Sequence, residues 1–308
     1  MKSCDWTFAA SRLTLAALLA AMTAEAASAE PPLSPKWEDL TSADFAKALK
    51  QADGLCILPM GSIEKNGPAE PLGTNLYVAR MVTMAAVRQD YAVVFPDYFV
   101  AATNDVSNHL GAVAYSGRLQ REMLEETVSE MGRNGCSKIL LVNGHSGNNG
   151  LLQEFLNTDM SRPKNYVVYA VQGGPPKGTP DAHLPAATMP SKPDADGHGG
   201  EERTSVLLVE HADLVHPERA HDEPVVVEGS RHLNLPGGMG GVQTGIARAV
   251  EAPGGYLGDP SGATAARGKA LLDYTAARVL AAIRAVKADT QSAPAQKLFF
   301  EQRDHPAN

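Results

Sequence analysis

Residues 139–150 read ILLVNGHSGNNG. Ile139 to Val142 form a short apolar run of the kind buried in a sheet, and it stops in a turn of glycine and asparagine. Asn143, Gly144, Gly147, Asn148 and Gly150 describe backbone that bends and lets something approach closely. A single imidazole, His145, stands in that turn, at the end of a core strand. Upstream, LQREMLEETVSEMGRNG (residues 119–135) puts Leu119, Met123, Leu124, Val128 and Met131 on one helical face, with Gly135 as the C-terminal cap. Downstream, LLQEFLNTDM reads as a helix and NYVVYAV as a strand. The same rhythm extends outward. GLCILPMG and YAVVFPD read as strands around the helical NLYVARMVTMAAVRQ, and residues 264–288 read as a long helix with Leu271, Leu272, Val279, Leu280, Ile283 and Val286 to bury. Strands alternating with helices predict βαβ units, hence one α/β domain around a mainly parallel sheet.

The 308 residues are enough for a large single core, and an apolar share of 44% with 20% charged residues describes an ordinary globular chain. Twenty-seven Lys and Arg against 35 Asp and Glu give a net charge of −8, without a basic block. That balance argues against nucleic acid or an anionic membrane surface as the partner. The N-terminus differs from the rest. Lys2 and Arg12 precede an apolar run from Leu13 to Met22, and Ala27-Ser28-Ala29 forms a small-residue cleavage pattern. This is the layout of a secretory signal peptide. The run falls short of the roughly 20 residues a membrane span needs. The expectation is removal of residues 1–29 and a periplasmic or secreted mature protein with no membrane attachment.

Cys56 and Cys136 remain after that cleavage, both at the edges of apolar strands. Two core thiols are the expectation and a disulfide is the alternative, because sequence alone does not set their distance. Residues 173–197 make a long Pro/Gly/Ala/Asp-rich loop of the kind used as a lid, a substrate loop or an insertion. LPGGMGGVQTG (235–245) lacks a preceding strand and Walker spacing, so it is given no phosphate role. The domain is expected to run from 30 to 290, followed by a loose polar tail at 291–308.

Open parallel sheets put ligands at the carboxyl ends of their strands. Three turns there carry chemistry. PMGSIEKNGPAEPLGTN carries Glu64, Asn66, Glu70 and Asn75; the opening stretch carries His145; and DGHGGEERTS carries His198, Glu201 and Glu202 at a helix start. Glu and His converging from separate strand ends is a common way to build a hydrolytic divalent-metal site. Each also has a plainer explanation. An imidazole in a glycine turn can serve the backbone, and an acid at a helix N-terminus complements the dipole.

Taken together, LPMGSIEKNGPAEPLGTN, His109 in VSNHLG, ILLVNGHSGNNG, DGHGGEERTS and GYLGDPSGATAARGKALLD resemble the creatininase family of amidohydrolases. The resemblance implies a three-layer α/β/α sandwich, a homo-oligomer, and hydrolysis of C–N bonds in small cyclic or linear amides by one or two divalent ions, zinc or manganese. It places Glu64, His145 and Glu201 on metal-ligand positions and His198 beside the reacting water, where His198 and Glu201 would serve catalysis. The chain also departs from the family. Asn66 stands where a His is usual and Asn75 where a metal-bridging Asp is usual; Arg203 replaces an acid, and GAVAYSG follows His109 in place of a Pro-Gly-Thr stretch. An Asn amide oxygen is a neutral, weak ligand. The expectation is therefore at most one ion, held by Glu64, His145 and Glu201 with weak help from Asn75. The competing reading is a family member that has lost catalysis and binds a ligand or partner.

Overall fold

Four parallel strands form the sheet: β1 (Leu55–Met60), β2 (Val93–Val94), β3 (Lys138–Asn143) and β4 (Val167–Val171), in the order β2-β1-β3-β4. The computed structural model describes residues 33–171, 185–222 and 244–306. The proposed signal segment, residues 172–184 of the long loop, and all but the last two residues of the 235–245 stretch lie outside the described residues. The α/β class expected from the alternating pattern is the one observed. β1 and β3 pair in register from Leu55↔Lys138 to Met60↔Asn143, so the turns carrying Glu64 and His145 leave the sheet side by side. After β1 the chain moves to one neighbour, β2, and then returns to the other side as β3. The strand order reverses between β1 and β3, and such a reversal opens a crevice at the carboxyl ends of the two strands.

Helices cover both faces. Leu55, Ile57, Leu140 and Val142 point to one face, where they pack with α2 (Thr74–Val87), α5 (Glu201–Glu210) and α7 (Ala265–Ala288). Strand alternation sends Cys56, Leu58, Ile139 and Leu141 to the other face. There α3 (Gly117–Arg133) and α4 (Asn148–Thr158) bury Leu124, Val128, Met131, Leu152 and Phe155. Two flanking helices complete the main elements, α1 (Ser42–Gln51) before β1 and the short α6 (Ala247–Glu251) before α7. Helix starts follow capping chemistry: Thr41, Ser116 and Thr264 accept from the backbone N–H three residues on. No helix among the described residues is long and apolar enough to cross a membrane.

Two expectations are corrected. Cys56 and Cys136 are joined in a disulfide, with their Cα atoms 5.7 Å apart. The parallel register accounts for it, since Cys56 lies opposite Ile139 and Cys136 enters the same edge three residues earlier. The expected loose tail is a helix, α8 (Ser292–Asp304), which buries Phe300 and whose Gln296 donates to the carbonyls of Lys164 and Tyr166 beside β4. Its polar composition hides a single docking face, and one buried ring with two side-chain hydrogen bonds is enough to seat it.

Candidate active site

Glu64 and His145 meet in the crevice between β1 and β3. Glu64 Oε1 stands 3.1 Å from His145 Nε2, and both side chains are almost fully buried. The imidazole is oriented from behind. Ala102 N–H donates to Asn148 Oδ1 at 3.0 Å, which fixes that atom as an acceptor, and the same oxygen lies 3.4 Å from His145 Nδ1. Nδ1 therefore carries a proton, and the Nε2 lone pair points at a carboxylate. Two acceptors face each other, an arrangement that calls for a cation between them, either a proton or a metal ion. Gly147 is required beside the ring, because a Cβ there would come 2.5 Å from His145 Cε1 and 2.6 Å from the Ala102 carbonyl. That is why glycine surrounds this histidine. Burial alone would raise the Glu64 pKa, but hydrogen bonding and charge from His145, with His198 and Ser62 adding, carry it below the ordinary glutamate value.

Asn75 also reaches Glu64. Its Nδ2 donates to Glu64 Oε1 at 2.6 Å and to Ser62 Oγ at 2.9 Å, while Ser62 Oγ donates to the same carboxylate oxygen at 2.9 Å. Turning the amide over would put its oxygen against the carboxylate. In this arrangement Asn75 faces Glu64 with its NH2 rather than with its oxygen. Asn66 donates to the Glu64 carbonyl at 3.0 Å and so braces its own turn. His198 approaches from the start of α5. Its Nε2 donates to the Lys65 carbonyl at 2.9 Å. Gly199 makes this approach possible. Its φ is +75°, and a Cβ would lie 2.6 Å from the Asn66 carbonyl oxygen.

The family model for creatinine amidohydrolase matches residues 38–283. The chain belongs to the creatininase family. Among curated relatives, the Mycofactocin precursor peptide peptidase of Mycolicibacterium smegmatis is 30% identical over 226 residues, covering 70% of this chain and 78% of that protein. The creatinine amidohydrolase of Pseudomonas putida is 21% identical over 196 residues, covering 60% and 75%. Among solved structures, creatininase in a manganese form superposes with a TM-score of 0.66 at 19% identity, covering 83% of this chain and all of that one.

Glu201, at the start of α5, has one carboxylate oxygen drawn into contacts with Ser191 and Arg267. Among the described residues no group of three or more His, Cys, Asp or Glu converges in a way that would hold a metal. The Glu201 carboxylate is engaged elsewhere: Oε2 accepts from Ser191 N–H at 2.7 Å and lies 3.6 Å from Arg267 Nη1. Arg267 is itself buried, donating from Nε to the Thr188 carbonyl at 3.0 Å and pairing with Asp196 through both terminal nitrogens. A buried guanidinium draws the nearest carboxylates to itself, and Glu201 is one of them. Glu201 Oε1 is buried with no hydrogen-bond partner among the described residues. Local sequence held no sign of this, because Arg267 lies on α7, far along the chain.

Glu70, in the same turn after β1 as Glu64, is buried. Its Oε1 is 2.7 Å from Thr204 Oγ1, yet that hydroxyl also lies 2.8 Å from the Gly200 carbonyl and has one proton to give. Thr204 thus shares one proton between Glu70 Oε1 and the Gly200 carbonyl, and protonating the carboxyl would release that proton to Gly200; Glu70 Oε2 is buried with no hydrogen-bond partner among the described residues. Burial pushes the Glu70 pKa from 4.5 up to about 7; Thr204, Thr74 and Arg203 pull it down, and Glu202 adds to the rise.

Proposed function

We propose that the protein is an exported hydrolase that cleaves the C–N bond of a small peptide-like or cyclic amide, using one divalent ion, zinc or manganese, held between Glu64 and His145. The observation that carries this reading is the pair of acceptors facing each other at 3.1 Å while Asn148 engages the Nδ1 proton of His145. Glu64 and His145 would supply two of the ligands a single ion needs. A second has no carboxylate to share, since Asn75 turns its NH2 toward Glu64. Such an ion, when bound, supplies Lewis acidity at the amide carbonyl and acidifies a neighbouring water. His198, anchored through Nε2 to the Lys65 carbonyl, would take a proton from the attacking water and return it to the nitrogen as the C–N bond breaks. A relative named as a peptide peptidase favours an amide of the peptide kind, and the GAVAYSG stretch disfavours creatinine. The signal-like N-terminus and the Cys56–Cys136 disulfide support export to an oxidising compartment, and the family resemblance supports a homo-oligomer.

The diversion of Glu201 to Arg267 favours a second reading, a binding protein whose site no longer turns over. Hydrolysis of a panel of dipeptides and lactams by manganese- or zinc-loaded protein separates the two. The hydrolase reading expects turnover that His198→Gln removes while the ion content stays unchanged. Bound ion without turnover on any substrate establishes the second reading.

A further inference from the structure

His198 stands in the stretch Asp196-Gly197-His198-Gly199-Gly200-Glu201. Three of the four residues between the two acids are glycine, the residue that gives up most conformational freedom when a chain is fixed. Crowding explains them. A Cβ on Gly200 would lie 2.2 Å from the Ala195 carbonyl oxygen, and one on Gly197 would lie 3.2 Å from the Gly258 backbone. A segment built this way has few side chains to hold its shape, so it must be fixed from outside. Its middle is tied through the His198 carbonyl, which accepts from the N–H groups of Leu257 and Gly258 at 2.9 and 3.0 Å.

Both of its ends are held by one side chain, Arg267, in the first turn of α7. Arg267 Nη1 donates to Asp196 Oδ1 at 2.7 Å and lies 3.6 Å from Glu201 Oε2, while Nη2 pairs with Asp196 Oδ2. Nε and Nη2 also donate to the Thr188 carbonyl, at 3.0 and 2.9 Å. A guanidinium has five N–H bonds in a rigid planar fork. Four are engaged in these hydrogen bonds, and the fifth is on Nη1, beside Glu201. The side chain is 7% exposed, and charge-assisted bonds shielded from water in this way are strong and directional. With its donors so engaged, Arg267 acts on the loop and not on a ligand.

From this arrangement we propose that Arg267 is a positioning residue for His198: by holding Asp196 and Glu201 it sets where the intervening glycine-rich segment presents the imidazole. Its effect on turnover rests on the reading of His198 as the acid–base group; its effect on the placement of the ring does not.

The test combines NMR of the purified protein, labelled with 15N-histidine, with steady-state kinetics on a dipeptide or lactam that the parent hydrolyses. The His198 Nε2 proton, given to the Lys65 carbonyl, is assigned by its disappearance in His198→Gln. Arg267→Gln is expected to shift that resonance and to speed its exchange with water by about tenfold or more, as a local opening does. The same variant is expected to lower kcat about a hundredfold with KM changed less than about twofold, the pattern of a displaced catalytic group. Arg267→Lys keeps the charge without the fork and restores part of both. Should Arg267→Gln fail to unfold cooperatively, Asp196→Asn, which loosens one end alone, is read instead, with the same shift and a loss of about tenfold in kcat. A His198 N–H resonance unmoved in the folded variant, or a variant whose KM rises while kcat is kept, would overturn the proposal. A parent that hydrolyses nothing ends the hydrolase reading, and the imidazole resonance then decides the placement of His198 by itself.

Discussion

Glu70→Gln isolates one buried proton. In the folded chain burial raises the Glu70 pKa to about 7, against 4.5 for the same group in water. The native state therefore holds the proton more tightly than the unfolded chain does. The resulting stabilisation is complete below about pH 4.5, declines as the pH rises toward 7, and is gone above that. At about 1.4 kcal/mol per unit, the decline amounts to roughly 3 kcal/mol. A glutamine amide cannot lose a proton there, yet it can donate to Thr204 Oγ1 as the protonated acid does, leaving the Thr204 proton on the Gly200 carbonyl. The substitution is thus expected to be near neutral at pH 5 and stabilising by up to about 3 kcal/mol at pH 8. Urea denaturation of parent and variant at pH 5, 6, 7 and 8 measures the difference directly. A difference that stays constant across that range would show that Glu70 is ionised throughout and that the proton count at Thr204 is mistaken.

Replacing both Cys56 and Cys136 with serine opens a bridge spanning 80 residues; the expected loss is roughly 4 kcal/mol in urea unfolding, by loop-closure entropy, and a loss near zero would mean that the two thiols are not joined. Gly199→Ala forces a Cβ against the Asn66 carbonyl at a φ of +75°; a loss of about 2 kcal/mol or more is expected, whereas unchanged stability would place His198 away from the Lys65 turn.

The strands and most helices were legible because their burial is one-sided or complete, and periodicity reports burial. β1 and β3 read as apolar runs since every residue of β1 and all but the first of β3 are buried. β2 was legible only as a place: its ladder with β1 covers Val93 and Val94, followed by an isolated bridge of Tyr98 to Met60. The meeting of Glu64 with His145 followed from two strands ending in the same kind of turn, and the observed register bears out their adjacency. What escaped depends on contacts between distant segments. Asn148 looked like a turn residue, although its amide orients His145 through Ala102. The contact of Glu201 with Arg267 on α7 could not be read from the helix start alone. The disulfide needed the parallel register, and α8 needed the edge of β4 to dock on. Ser62 carried no signal of its own; two residues before Glu64, it points back at the same carboxylate.

The central claim is that Glu64 and His145 hold one divalent ion. Elemental analysis of protein purified without chelator and equilibrated with manganese or zinc, beside a His145→Ala variant shown to be folded by its cooperative unfolding, tests it most directly. The account predicts about one ion per chain in the parent and none in the variant. Two ions per chain, none in the parent, or an ion retained by the variant would contradict it.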